Sequence, residues 1–426
     1  MMGFLFASFL GLLTIGVPVA IALGGSSLLY VWNDGTVPDL VVIHRMVSGV
    51  DSFPLLAIPF FIMAGSLMNS SGITHRIYDF ALALVGWLKG GLGHVNVVGS
   101  VIFAGMSGTA VADAGGLGNI EIKAMRDHGY DVDFAVGITG ASSTIGPIIP
   151  PSLPMVIYGV MANASIGQLF AAGFIPGLVM AATLMAMVTY YARTRGFQRD
   201  ATFSWGVLGR TSKRAFLPLM TPVLLIGGMV TGAFTPTEAA IAATFYALIL
   251  GLFVYRSLSL RGLVKVSMET AETTAIVLLI VAGASIFGWL ITSTRVTDDI
   301  ADMVLSVTER PWLILLLVNL FLLVVGCFME TIAAITILVP VLLPLMEKIG
   351  VDPVHFGLIM VLNLMIGLLT PPVGMVLYIL ARVANISFER TTRACAPFLI
   401  PLLITLGIIT YVPAISLWLP TIFYRS

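Results

Sequence analysis

The chain has 426 residues, of which 58% are hydrophobic and only 10% charged. A soluble protein of this size carries about 25% charged residues, so the composition excludes a single soluble globule and predicts an integral membrane protein in a lipid bilayer. Lys+Arg and Asp+Glu cancel at 21 each, which argues against a nucleic-acid binder.

A helix crosses a bilayer with about 20 apolar residues. The first 44 residues hold no Lys or Arg, so the N-terminus lacks the basic flank of a signal peptide and reads as the first span. Full crossings are expected at 4–31, 53–71, 133–162, 165–192, 214–234, 236–255, 271–293, 354–384 and 394–419. Amphipathic pieces at 76–92 and 298–309 are too short to cross and read as interfacial helices. The stretches 95–126 and 311–347 are too long for one span, and each has polar or small residues at its middle, SGTAVAD (107–113) and METIAA (329–334). Both read as re-entrant hairpins. Nine crossings from a cytoplasmic N-terminus place 16 of the 21 basic residues inside and leave the C-terminus outside, in line with the positive-inside rule. Cys327 and Cys395 lie in apolar runs without a partner motif, and the five histidines have no metal-ligand spacing. There is no GxxxxGK[ST] phosphate loop, HExxH or GxSxG, so neither ATP hydrolysis nor a familiar hydrolase is expected.

Sliding the sequence along itself by 221 positions aligns residues 105–151 with 326–372 at eleven identities in 47 positions, without a gap. The matched pairs include Gly105/Gly326, Gly129/Gly350, Asp131/Asp352, Gly146/Gly367, Pro150/Pro371 and Pro151/Pro372. Weaker matches, Gly65/Gly288 and Ile77/Ile300, extend the repeat upstream. Five crossings separate the equivalent starts, and an odd number inverts the second copy. The expected fold is therefore all-α, an inverted repeat with two re-entrant hairpins and two broken helices, the usual build of a secondary transporter.

The candidate site lies at the breaks. IGPIIPPSLP (145–154) and IGLLTPPVG (366–374) each fall inside an expected span. A proline lacks the N–H that bonds the carbonyl four residues back. Pro150 and Pro151 should free the carbonyls of Gly146 and Pro147, and Pro371 and Pro372 those of Gly367 and Leu368. A bare carbonyl in lipid costs several kcal/mol, so such breaks belong beside protein, water or a hard cation such as sodium. At the hairpin tips Ser107, Gly108 and Thr109 supply a turn with hydroxyl and carbonyl oxygens. Glu330 occupies the position matching Thr109, with Thr331 next to it. An acid near mid-membrane is expensive; Glu330 and Asp113 are open to cation binding, proton carriage, or capping of a tip. Ser142, Ser143, Thr144, Asn363 and Thr370 are polar residues near the breaks, and Ser143 and Thr370 are the better candidates because they lie just before a double proline.

These stretches carry a resemblance. SGTAVADAGGLGNIEIKAMRDHGY (107–130), IGPIIPPSLPMVIYG (145–159), SIGQLFAAGFIPG (165–177), GAFTPTEAAIAA (232–243) and IGLLTPPVGMVLY (366–378) resemble the large membrane subunit of a tripartite ATP-independent periplasmic (TRAP) transporter, over essentially the whole chain. The chain is also distantly similar to divalent anion/sodium symporters. The resemblance implies a bacterial inner-membrane elevator that works with a separate small four-helix subunit and a periplasmic binding protein, importing a small organic acid on inward sodium flow. Carried over by position, Ser107, Gly108, Thr109, Gly146 and Pro147 would hold one sodium. Glu330, Thr331, Gly367 and Thr370 would help hold another, although the family often has aspartate at the position of Glu330. The implied division is scaffold and interfacial arm in 1–94 and 214–310, hairpin, broken helix and following span in 95–192 and 311–426, and a basic cytoplasmic linker at 193–213. The rival is an anion symporter or exchanger, coupled to sodium or protons, that needs no binding protein.

Overall fold

The computed structural model describes residues 2–35, 37–294 and 296–424, with the side chains of residues 2, 107, 296–300 and 307 outside that description. Apart from one isolated bridge between Lys89 and Arg199, the described residues are helical or in turns and loops. The helices are α1 Met2–Thr14, α2 Val19–Asp34, α3 Leu40–Val50, α4 Ala57–Ser70, α5 Ile73–Val85, α6 Gly91–Ser107, α7 Ala110–Ala112, α8 Gly118–Asp127, α9 Val132–Ser143, α10 Leu153–Met161 and α11 Ile166–Thr194. They continue with α12 Trp205–Val230, α13 Pro236–Ile249, α14 Leu260–Ser293, α15 Val296–Val307, α16 Pro311–Phe328, α17 Thr331–Lys348, α18 Pro353–Gly367, α19 Met375–Ala384, α20 Phe388–Cys395, α21 Leu399–Tyr411 and α22 Pro413–Phe423.

The repeat is visible helix by helix. At the offset of 221, α6 falls on α16, α7 and α8 on α17, α9 on α18, and α10 on α19. Its sequence identities have local reasons. Gly129 and Gly350 have φ of 79° and 77°, the left-handed geometry that ends a helix at a glycine. Two residues on, Asp131 and Asp352 cap α9 and α18, accepting hydrogen bonds from backbone N–H groups of the first turn. Both Pro150–Pro151 and Pro371–Pro372 bonds are cis.

Both arms of each hairpin pack against the helix that leads into its break, α6 and α8 on α9, α16 and α17 on α18. The copies also exchange contacts reciprocally: α17 packs on α10, and α8 on α19. Tyr158 on α10 reaches across the repeats, donating its hydroxyl to the Pro353 carbonyl at 2.6 Å. Tyr158→Phe removes this one hydrogen bond between the repeats, so the unfolding free energy should fall by about 1 kcal/mol, readable by thermal denaturation in detergent. Around this body stand α2, α4, α13 and α14, where α14 packs on α2, α3, α4 and α17.

Three expectations are corrected. The segment 4–31 is not one span: the chain turns at Gly16 (φ 85°) and Pro18, and Leu12 comes back against Gly25. A straight helix would separate those two residues by about 20 Å. The stretch 4–31 therefore contributes two short helices, α1 and α2, in place of one long one. At the other end, 394–419 divides at Val412, where Pro413 starts α22, and Tyr424 packs against Gly167 of α11. Finally, α12 begins at Trp205, so the second half of the expected linker 193–213 is helical. Asp200 anchors what remains, accepting hydrogen bonds from the Leu92 N–H at 2.9 Å and the Tyr130 hydroxyl. Burial and that carboxylate push the Tyr130 phenol up from its ordinary pKa.

Candidate functional site

At the first hairpin, α6 ends at Ser107 and the chain reverses through Gly108 (φ 61°). Ser107's side chain lies outside the described residues. Thr109 is extended, and its hydroxyl oxygen accepts the Ala112 N–H at 3.2 Å, capping α7. A β-carbon on Gly108 would stand 2.5 Å from the Pro151 carbonyl oxygen, and one on Gly146 would stand 3.4 Å from that of Thr109. The tip and the first break are therefore in backbone contact, tightest at Gly108, where only hydrogen fits.

The second copy solves the same problem differently. The chain reverses through Met329 and Glu330, both extended. A β-carbon on Gly367 would come within 2.5 Å of Gly326, so here the two helix backbones touch. Glu330 is the N-cap of α17, with Oε2 accepting the N–H groups of Ile332 at 2.8 Å and Ala333 at 3.2 Å. That arrangement is the capping alternative left open by the sequence. Thr331, 3% exposed, has a buried hydroxyl with no hydrogen-bond partner.

The freed carbonyls are mostly taken up. Pro147's carbonyl accepts the Ser152 hydroxyl. Gly367's accepts the Thr370 N–H at 3.0 Å, and Leu368's the Val376 N–H at 3.3 Å. The donors come from three sources: a side-chain hydroxyl five residues on at Pro147, a tight i to i+3 turn at Gly367 and a longer backbone closure at Leu368. A carbonyl has two lone pairs, so these bonds leave room for an ion without requiring one. Ser143 and Thr370 bond back to their own helices, at Gly140 O (2.8 Å) and Ile366 O (3.0 Å). Ser142 donates to Asn96 Oδ1 at 2.6 Å as well as back to Thr139 O at 3.2 Å, and Asp113 lies in a π-turn, 1% exposed. Pro150 and Pro151 are buried, whereas Pro371 and Pro372 are exposed.

A cavity of about 220 Å³ opens beside the first tip. Gly108, Thr109 and Pro151 line one side; Ser66 and Asn69 of α4 and Thr273 of α14 line the other. No Lys, Arg or His is among its described lining residues. It is small, with hydroxyl and amide groups and no charge clamp, and it lies between the hairpin body and the surrounding helices.

Sequence reasoning missed Ser66, Asn69, Ser152, Asn96 and Glu121. Ser152 carried a signal, a serine ahead of an apolar run, and it caps α10 by accepting the Met155 N–H. The others carry no local motif, and only folding pairs Asn96 with Glu121, at 2.6 Å.

The family model for the "Tripartite ATP-independent periplasmic transporter, DctM component" matches residues 6–415. The chain is 47% identical to the sialic acid TRAP transporter large permease protein SiaM of Vibrio cholerae, covering 99% of both chains. It is 38% identical to the C4-dicarboxylate TRAP transporter large permease protein DctM of Pseudomonas aeruginosa, over 94% of this chain and 93% of that one. Among solved structures, the Alcanivorax borkumensis YdaH transporter shares the fold at a TM-score of 0.59 and 13% identity, covering 87% of this chain and 88% of that one. The inverted repeat with its paired hairpins and breaks and these full-length matches agree, and the chain belongs to the DctM family, the large multi-pass membrane permease subunit of TRAP transporters.

Proposed function

We propose that this subunit couples sodium to the uptake of a small organic acid, a carboxylate such as a C4-dicarboxylate or a sugar acid. A periplasmic binding protein delivers the acid at the outer face, and a separate small four-helix subunit completes the permease in the bacterial inner membrane. The relatives support this class, since both acids in their names, sialic acid and C4-dicarboxylate, are carboxylates. The hairpins, breaks and following spans (95–192 and 311–426) move as one body against 1–94 and 214–310, with the segment between α11 and α12 as the linker, and the cavity at Thr109 is where cargo passes between them. Sodium sits at Gly108, Thr109 and Gly146 in the first copy and at Thr331 and Gly367 in the second. Glu330 and Thr109 hold the tips in shape.

The observation that carries the sodium reading is Thr331 Oγ1, buried at the second tip without a hydrogen-bond partner. An orphaned hydroxyl costs about 1–3 kcal/mol unless a ligand takes it. The groups about both tips are oxygens of carbonyls and hydroxyls, the ligands that hard cations prefer. Thr331→Val keeps the shape and removes that oxygen. In proteoliposomes containing both membrane subunits and the binding protein, the half-saturating sodium concentration should rise about tenfold, as loss of ~1.4 kcal/mol implies, while uptake at saturating sodium persists. An unchanged sodium curve would remove sodium from this tip.

A further inference from the structure

We infer that the first hairpin carries a proton-binding site at Glu121, separate from the sodium positions; the inference rests on the transporter reading above. Glu121 is on α8, 1% exposed. Its Oε2 accepts Asn96 Nδ2 at 2.6 Å, while its Oε1 is buried with no partner. Asn96 is itself fully engaged, donating also to Thr139 Oγ1 at 2.7 Å and accepting from Ser142 at 2.6 Å. One turn along α6, the buried Ser100 hydroxyl lies beside the Asp113 carboxylate. Neither Ser100 Oγ nor Asp113 Oδ2 completes a hydrogen bond.

Among the described residues no base is paired with either acid. On α8 itself Lys123 and Arg126 are exposed, and Arg126 donates to the Ala384 carbonyl. On α19, Arg382 is exposed. Asp133 of α9 is half-exposed and paired with Arg390, and the α9 side chains that join the Asn96 network are the neutral Thr139 and Ser142. His94 of α6 lines a different hollow with Trp87 and Lys89. From α5 comes Tyr78, within electrostatic reach of Glu121, and from the π-turn comes Asp113, of like sign. An ionised carboxylate here would be desolvated, unpaired and next to another acid, a combination costing several kcal/mol. A bound proton removes that cost and places an O–H on Oε1.

Two observations favour a proton over a metal ion. The filled side of Glu121 faces an N–H donor, which repels a cation, and the described residues contain no group of three or more acidic, His or Cys side chains able to hold a metal. The second hairpin, moreover, packs without this cluster. At the repeat offset, Leu317, Phe321, Ala334, Leu342 and Met360 stand where the first copy has Asn96, Ser100, Asp113, Glu121 and Thr139. The fold therefore does not need buried acids at these positions.

The test is infrared spectroscopy of the purified full chain in lipid nanodiscs, with pH-dependent uptake in the complete transporter. The wild type at neutral pH should show the C=O stretch of a buried protonated carboxyl, and E121Q and E121L should lose it; E121L takes the residue of the second copy. Uptake by the wild type should bend with pH by about tenfold per unit on one limb, as for a single essential proton, and the E121Q profile should be flat over that limb. Sodium dependence at fixed pH should persist in E121Q, so loss of the proton site is distinguishable from failure of sodium coupling. The proposal is overturned if the wild type has no protonated-carboxyl band, if the band survives in both variants, or if the variant loses a bound sodium ion instead.

Discussion

Gly108→Ala should lower uptake by about a hundredfold while the protein still inserts and folds. A side chain in the left-handed region costs about 1–2 kcal/mol, and Gly108 has φ 61°. The added carbon also meets the Pro151 carbonyl oxygen at 2.5 Å, a backbone atom that cannot rotate away, at a typical overpacking cost of ~1–3 kcal/mol. Together these amount to about 3 kcal/mol, a factor of about a hundred if the tip must close on the break in every cycle. Proteoliposome uptake reads the loss, and thermal melting checks the fold. Wild-type uptake would mean that the contact between tip and first break is not part of the transport cycle.

Glu330 gives the second large effect, and its variants separate two roles. The carboxylate caps α17 through Ile332 and Ala333. Glu330→Ala leaves those N–H groups bare beside Thr331, costing about 0.5–2 kcal/mol, and should reduce uptake about tenfold or more with a lower melting temperature. Asp and Asn cap helices as well as any residue, so Glu330→Asp and Glu330→Asn should restore both. Recovery by the neutral Asn marks Glu330 as a positioning residue. If Asn fails while Asp succeeds, the charge itself is required and Glu330 belongs among the ion's ligands.

These residues show where sequence reading reaches and where it stops. The hairpins, the breaks and the offset between copies were legible because glycine, proline and capping aspartate act through local backbone geometry: Gly129, Asp131 and Pro150–Pro151 do the same work as Gly350, Asp352 and Pro371–Pro372. The turn between α1 and α2 was not read, because Gly16 and Pro18 interrupt a run that remains apolar throughout, and hydropathy alone is silent on whether such a run bends or doubles back. The fate of the freed carbonyls was also hidden. Proline removes a donor four residues on, but the replacement donors, the Ser152 hydroxyl and the Thr370 and Val376 N–H groups, exist only once the break has wound.

By itself the sequence determined membrane insertion, the duplicated order of helices and the two positions where the helix must fail, since composition and backbone chemistry settle those within a few residues. Tertiary structure alone decided which polar atoms meet: Asn96 and Glu121, 25 residues apart, share a hydrogen bond, Gly326 and Gly367 touch, and Thr331 is left without a partner. Hydrogen bonds and van der Waals contacts act over a few ångströms, so they are fixed by which helices pack together, and the order of residues along one chain does not specify that distance.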